Sequence, residues 1–351
     1  MKKTYNIFLT LIVFCYFTVF SSVCLANDAK RIIIKILRSH APIQEITKYI
    51  DNRLFNSTLF KDSLSSFAIR INYFLTGTFT SRQVISGKDD WMFYAKESDG
   101  NPIGIYEGKD LFSRQEINDA IESLQKVQKK LNEQNIKFSF FSAPNKESIY
   151  WDKMPKKYIY SEKNCVDNLL DELKENGVHV LMPKKEIVEN KNKYNLYYPH
   201  DSHWNSLGSF FAAKSFFEYW NLPFINFNDL NLMQNKKDTY DLELILGLKG
   251  IIQLPPPCFD VDYYKKTPVE DISLLQFTNA DAQSNNSILI VGDSFRAMLV
   301  CHFFNYFEHI YVIHYSELTP ELLKQIKVDY VLAEYVERYA IQCKDLYNKM
   351  F

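Results

Sequence analysis

The residue pattern predicts an α/β protein: a mostly parallel sheet covered by helices on both faces, entered through an N-terminal helical lead-in. Two observations carry this. From Ser113 onward, helical stretches alternate with short strands, the rhythm of parallel strands joined by crossover helices. The runs 137–142, 287–291 and 329–334 are rich in apolar residues, as expected of strands in a parallel sheet covered on both faces.

Along the chain, residues 27–81 read as the lead-in, with apolar residues at helical spacing at Ile32, Ile33, Ile36 and Leu37 and again at Leu64, Phe67, Ile71 and Leu75. Gly87, Lys88, Asp89 and Asp90 are turn residues ahead of Trp91, Met92, Phe93 and Tyr94, a hairpin-like entry into a globular domain over 82–351. Ser113 and Glu116 stand in capping-box spacing before a helix over 115–132, and the strand 137–142 follows, closed by Pro144. A helix over 165–176 stops at Gly177, a strand covers 178–182, and a further helix covers 205–220. Residues 222–286, with Pro255, Pro256 and Pro257 and many Asn and Asp, break the rhythm and read as a long insertion. It resumes with the strand 287–291, a helix after Ser294, the strand 309–314, a helix over 320–326 and the strand 329–334.

The 351 residues are 46% hydrophobic and 24% charged, a mix that can bury one or two sizeable cores. The formal charge of −1, without a basic stretch, leaves no electrostatic footprint for nucleic acid. Lys2 and Lys3 precede an almost uncharged apolar run over 7–26 that ends in Cys24, Leu25 and Ala26. This is an export signal. Small residues at Cys24 and Ala26 suit a signal peptidase, while the length, close to the ~20 residues that span a bilayer, suits a retained anchor. In both cases the lysines stay cytoplasmic and the rest is delivered to a periplasmic or other extracytoplasmic space. Four of the six cysteines, Cys165, Cys258, Cys301 and Cys343, fall in the exported part; none has zinc-site spacing, and in an oxidising compartment one or two disulfides are open to them.

Two segments carry chemistry. The apolar strand 287–291 runs into Gly292, Asp293, Ser294 and Phe295 and then a helix, placing Ser294 at a strand-to-helix turn on the carboxyl edge of the sheet, where α/β proteins build their sites. A hydroxyl there is exposed beside amides able to receive an oxyanion; a simple turn with an Asp or Ser cap would read the same way. The second segment is Tyr197, Tyr198, Pro199, His200, Asp201, Ser202, His203, Trp204 and Asn205. Asp201 and His203 are two apart, so in an extended segment their side chains share one side and the carboxylate can orient the imidazole toward a serine. The alternatives are that Asp201 or Ser202 merely caps the next helix, or that His200 and His203 are metal ligands, for which a complete set is not visible.

Taken together and in order, these motifs resemble the alginate O-acetyltransferase family of AlgJ and AlgX. Gly87 to Tyr94 is similar to its "GKDGWLFY" entry, Pro144, Asn145 and Lys146 to its "PPDK" strand end, Asp201 to Trp204 to "DTHW", and Gly292 to Phe295 to "GDSF". Asp241, Leu242 and Leu246 to Leu248 resemble its "DL...LGL" segment, and Glu337 and Arg338 its last strand end. The resemblance implies an SGNH-hydrolase-like three-layer α/β/α domain with permuted motif order, the Asp–His pair preceding the serine. It implies Ser294 as nucleophile, His203 as general base and Asp201 as its orienting partner. Asn145, which stands where the family often has Asp, is expected with Lys146 and Phe295 in oxyanion or supporting roles. No metal or cofactor is implied. The expected partners are a polysaccharide acceptor and a membrane-bound O-acyltransferase that supplies acetyl, at the inner membrane. With no carbohydrate-binding module after the motifs, the arrangement expected is the AlgJ-like one. A carbohydrate esterase using the same three residues, and a catalytically silent scaffold of a polysaccharide export complex, are the competing expectations.

Overall fold

The computed structural model describes residues 69–351 except 71, 235, 236, 238, 253–257 and 262–273. The export signal and nearly all of the lead-in therefore lie outside the described residues. Residues 69–351 form one compact unit. Among the described residues no helix is long and apolar enough to cross a membrane.

The unit opens with a hairpin, β1 (Val84–Ser86) and β2 (Met92–Tyr94), paired antiparallel. Its turn places Asp89 and Asp90 at φ 54° and 60°, the double left-handed geometry that matches strand twist and that Asp tolerates better than most residues. Helix α1 (Arg114–Asn132) starts on the expected capping box of Ser113 and Glu116. Then come β3 (Lys137–Ala143), the single turn α2 (Lys146–Ile149), α3 (Cys165–Glu175), β4 (Val180–Leu181) and α4 (Ser206–Tyr219).

The stretch read as an insertion is not wholly one. It contributes the ribbon β5 (Leu232–Gln234) and β6 (Phe259–Val261), the helix α5 (Asp241–Leu246), and β7 (Leu275–Thr278), which joins the main sheet as an antiparallel edge strand. β7 is half-exposed along its length, so it lacks the apolar run that marks a central strand. After β8 (Ser284–Gly292) the expected helix is only the turn α6 (Arg296–Leu299), followed by a 3₁₀ turn, Val300–Phe303. β9 (Phe307–His314), α7 (Pro320–Leu323) and β10 (Tyr330–Val336) complete the alternation, and a 3₁₀ segment, Glu337–Asp345, leads into α8 (Leu346–Met350).

The six-stranded sheet has the order β4-β3-β10-β8-β9-β7, parallel except for β7. Successive side chains of a strand point to opposite faces. Ile288, Ile290, Leu332 and Phe141 accordingly enter a core with α4, while Leu289, Val291, Val331 and Phe140 enter a second core with α1, α3 and the C-terminal segment. This is the three-layer fold expected. β10 lies between β3 and β8, so the ends of those two strands, carrying Asn145 and Ser294, flank one strand end at the carboxyl edge. Cys165, Cys258, Cys301 and Cys343 are unbridged, so no disulfide forms among the described residues. Burial raises the pKa of all four thiols.

Candidate active site

The serine turn follows from the end of β8. A side chain at Gly292 would bring its Cβ to 2.4 Å from Glu334 Oε2, so glycine leaves room there for the buried Glu334 carboxyl. Asp293 then folds inward: Oδ1 accepts the Phe295 N–H at 2.9 Å and Oδ2 accepts the Val336 N–H at 2.7 Å. Burial, and next the Asp293 charge, push the Glu334 carboxyl well above its usual range, a direction that eases repulsion between the two acids. With Asp293 and Phe295 buried on either side, Ser294 is left exposed. Asp293 meets the backbone amides; Ser294 does not act as a cap.

The histidine loop is a tight hairpin closed by the Tyr197–Trp204 bridge, with Tyr198 N–H donating to His203 O at 3.3 Å and Asp201 N–H to Tyr198 O at 3.2 Å. The extended geometry expected for Asp201 and His203 is thus replaced by a turn. Asp201 Oδ1 accepts the His203 N–H at 3.1 Å, a side-chain-to-backbone bond two residues on that aspartate favours, and the same oxygen takes His203 Nδ1 at 2.7 Å. The cap of α4 is Asn205, not Asp201 or Ser202.

Trp204 joins loop and turn. Its Nε1–H donates to Phe295 O at 3.1 Å and its ring meets the Phe295 ring edge-on, while the His203 ring lies 4.9 Å from that of Phe295. His203 Nε2 then stands 2.7 Å from Ser294 Oγ. Asp201, His203 and Ser294 form one hydrogen-bonded row ending at the surface.

Two further charged residues, Lys237 and Asp241, flank this row. Asp201 Oδ2 accepts Lys237 Nζ at 2.6 Å and the Asp241 N–H at 3.2 Å. Burial works against the Asp201 charge, but the bond to His203 and the charges of His203 and Lys237 outweigh it and hold the carboxyl far below the usual carboxylate range. Burial also works against an imidazolium at His203, and there Asp201 and then Asp241 prevail, raising it to about 9. The His203 side chain is still 25% exposed, so solvent screens part of this.

The other residues singled out in the sequence hold the frame. Lys146 is fully buried, and its ammonium donates to the carbonyls of Met92, Tyr198, Pro199 and Asp201 at 2.6, 2.8, 2.7 and 2.9 Å, pinning the histidine loop to the entry hairpin. Burial lowers its pKa; the four carbonyl dipoles oppose this, since a neutral amine would turn its lone pair toward one of them. Asn145 donates its N–H to Glu337 Oε2 at 2.8 Å and accepts Arg338 Nη1 at 3.2 Å on Oδ1, while its Nδ2 is buried with no partner. The Phe295 amide is committed to Asp293, and its ring serves as the floor beneath His203. His200 and His203 do not converge on a metal position: His200 Nδ1 meets Glu243 Oε1 at 2.7 Å, whereas His203 faces Asp201 and Ser294. Lys237, Asp241 and Glu243 escaped sequence reasoning as site residues because the stretch that carries them has no regular hydrophobic period; the "DL" motif at Asp241 is the one local signal.

A family model described as the SGNH hydrolase-like domain of the acetyltransferase AlgX matches residues 84–310. No curated protein sequence matches significantly. Among solved structures, a DHHW family protein from Eubacterium siraeum is similar over 76% of this chain and 98% of its own, with 16% identity and a TM-score of 0.55. Bacillus cereus PatB1 is similar over 73% of this chain and 96% of its own, with 15% identity and a TM-score of 0.53. At such identities these structures speak for the fold. The family match spans both the Asp201–His203 loop and the Ser294 turn, and the chain belongs to the family of SGNH hydrolase-like acetyltransferases represented by AlgX.

Proposed function

We propose that this protein moves acetyl groups onto hydroxyls of an exported cell-surface or extracellular polysaccharide through an acyl-serine at Ser294. The observation that carries the reading is the row Asp201–His203–Ser294, with 2.7 Å at each side-chain contact and the serine at the surface. His203 Nε2 takes the Ser294 proton as Oγ attacks the carbonyl carbon of a donor ester, and Asp201 holds the imidazole's orientation and offsets its positive charge. The Ser294 amide and Asn145 Nδ2 are the donors suited to the oxyanion. Collapse of the tetrahedral species expels the donor's alcohol, protonated by His203. A sugar hydroxyl, deprotonated by His203, then attacks the acyl-serine and regenerates Ser294. The close His203–Ser294 contact favours an enzyme over a silent scaffold. The rest of the reading is an extracytoplasmic domain delivered by residues 1–26 as signal or anchor, with 27–81 as a helical lead-in, and acetyl supplied at the inner membrane by a membrane-bound O-acyltransferase.

The exposure of Ser294 to water favours one second reading, a carbohydrate esterase that resolves the same acyl-serine by hydrolysis. Competition separates the two. The protein is incubated with an activated acetyl ester and the organism's own surface polysaccharide, acetate release and glycan acetylation are followed together, and Ser294 is examined by mass spectrometry for a trapped acetyl. Loss of acetyl from a pre-acetylated glycan, with no gain on the unmodified one, sinks the transferase. Activity that survives Ser294→Ala sinks the assignment of the nucleophile.

A further inference from the structure

Helix α5 and the residues just before it meet the histidine loop through five hydrogen bonds. Asp241 Oδ1 accepts the Ser202 N–H at 2.8 Å, and its Oδ2 accepts the Ser202 hydroxyl. The Asp241 N–H and Lys237 Nζ both donate to Asp201 Oδ2, the oxygen facing away from His203. Behind them, buried Glu243 bonds His200. Asp241 Oδ2 is 3.5 Å from His203 Nδ1. That is too long for a good hydrogen bond when Asp201 already holds Nδ1 at 2.7 Å, so Asp241 reaches the imidazole mainly through its charge.

Among the described residues, five charged groups act on His203 or on its surroundings. Asp201 comes from its own loop and Asp241 from α5. Lys237 acts through Asp201 Oδ2, and Lys146, from the start of α2, through the Asp201 carbonyl. Arg338, after β10, lies 5.5 Å from the centre of the Phe295 ring. Two carboxylates and one partly exposed lysine thus compete over one imidazole, and two of the three come from the stretch between α4 and β8.

We infer that Asp241 and Lys237 are positioning residues that set the basicity of His203 in opposite senses, Asp241 as a second carboxylate behind Asp201 and Lys237 as its counterweight. Asp241 strengthens the hold on an imidazolium and braces the loop through Ser202. Lys237 draws part of the Asp201 charge away from His203. The balance makes His203 basic enough to take a serine proton without locking it as a permanent ion pair. The inference rests on the proposed role of His203 as the base for Ser294.

The test uses the full chain with Asp241→Asn and Lys237→Gln, both close in shape to the native residues. In the absence of any donor, the His203 ring is followed by NMR titration, its resonance identified by its loss in His203→Gln. Asp241→Asn is expected to lower the His203 pKa by about one unit and Lys237→Gln to raise it by about half a unit, the range for charges at this separation. The acid limb of kcat/KM for an activated acetyl ester should move in the same two directions. A loop that had merely loosened would not give opposite shifts. No shift in Asp241→Asn, or shifts of one sign in both variants, overturns the inference. If the ring shifts appear and the rate profile stays fixed, the inference stands and the role of His203 as base falls instead.

Discussion

Replacing Lys146 by methionine tests whether this buried ammonium holds the site together. The side chain keeps its volume and loses three N–H donors that serve four carbonyl oxygens at 2.6–2.9 Å. A hydrogen bond from a charged donor contributes about 1.5–3 kcal/mol net, so three of them set a large gross loss. Two terms reduce it. The variant no longer buries a charge, which costs several kcal/mol per ion. The carbonyls of Tyr198 and Pro199 also keep backbone donors, from Asp201 and Met92 respectively. The expected net loss is about 2–4 kcal/mol, within the 5–15 kcal/mol or so that a domain has in hand, so the variant folds. Its histidine loop is tied less firmly to the entry hairpin, and acylation of Ser294 should fall roughly tenfold or more, since small misplacements near a reacting group carry such costs. Urea unfolding by circular dichroism gives the first number and the rate of acetyl ester turnover the second. A stability change under about 0.5 kcal/mol with an unchanged rate would refute the reasoning, because ordinary surface substitutions stay within that limit. A clear gain in stability would mean that burying the charge outweighs the four contacts.

Asp201→Asn should lower acyl transfer on the order of 10³–10⁴-fold with the fold intact, because an amide can favour the wrong imidazole tautomer; near-native rates in a steady-state assay would remove Asp201 from the reaction. With His203 raised to about 9, the acid limb of kcat/KM should lie above the ordinary histidine value near 6.5, activity climbing with pH through the neutral range, and a limb at or below 6.5 would contradict the Asp201 and Asp241 contacts. The same pair links stability to pH: the part carried by raised His203 is fully present below about pH 6.5 and is lost as pH rises through its folded value, and the part carried by depressed Asp201 is present above about pH 3.9 and is lost as pH falls. Finally, a reporter active only in the cytoplasm, fused after Phe351, should stay silent if Lys2, Lys3 and the apolar run 7–26 export the chain.

The alternation of apolar strands and amphipathic helices was legible because β3, β8 and β10 are buried on both faces, and the capping box at Ser113 is a local signal that needs no distant partner. The motifs around Asp201, His203 and Ser294 were legible for a similar reason, since each sits in a short run of unusual chemistry at the end of an element. Sequence reasoning failed where long-range contacts decide. The edge strand β7 carries no pattern beyond half-burial. The helix after Ser294 shrinks to one turn, where Arg296 gives its side chain to the Asp293 carbonyl.

What the sequence by itself determined is an α/β domain with a sheet covered on both faces, an Asp–His pair ahead of a helix and a serine at a strand-to-helix turn, because periodicity and turn chemistry are properties of neighbouring residues. Tertiary structure alone decided that His203 and Ser294, 91 positions apart, meet at 2.7 Å. That contact depends on Trp204 bonding across to Phe295 and on the ammonium of Lys146 gathering carbonyls from the entry hairpin and the histidine loop. Tertiary structure also decided that Lys237 and Asp241 crowd the Asp201–His203 pair. Charges act through space, and spacing along the chain does not reveal which of them will be within a few ångströms of an imidazole.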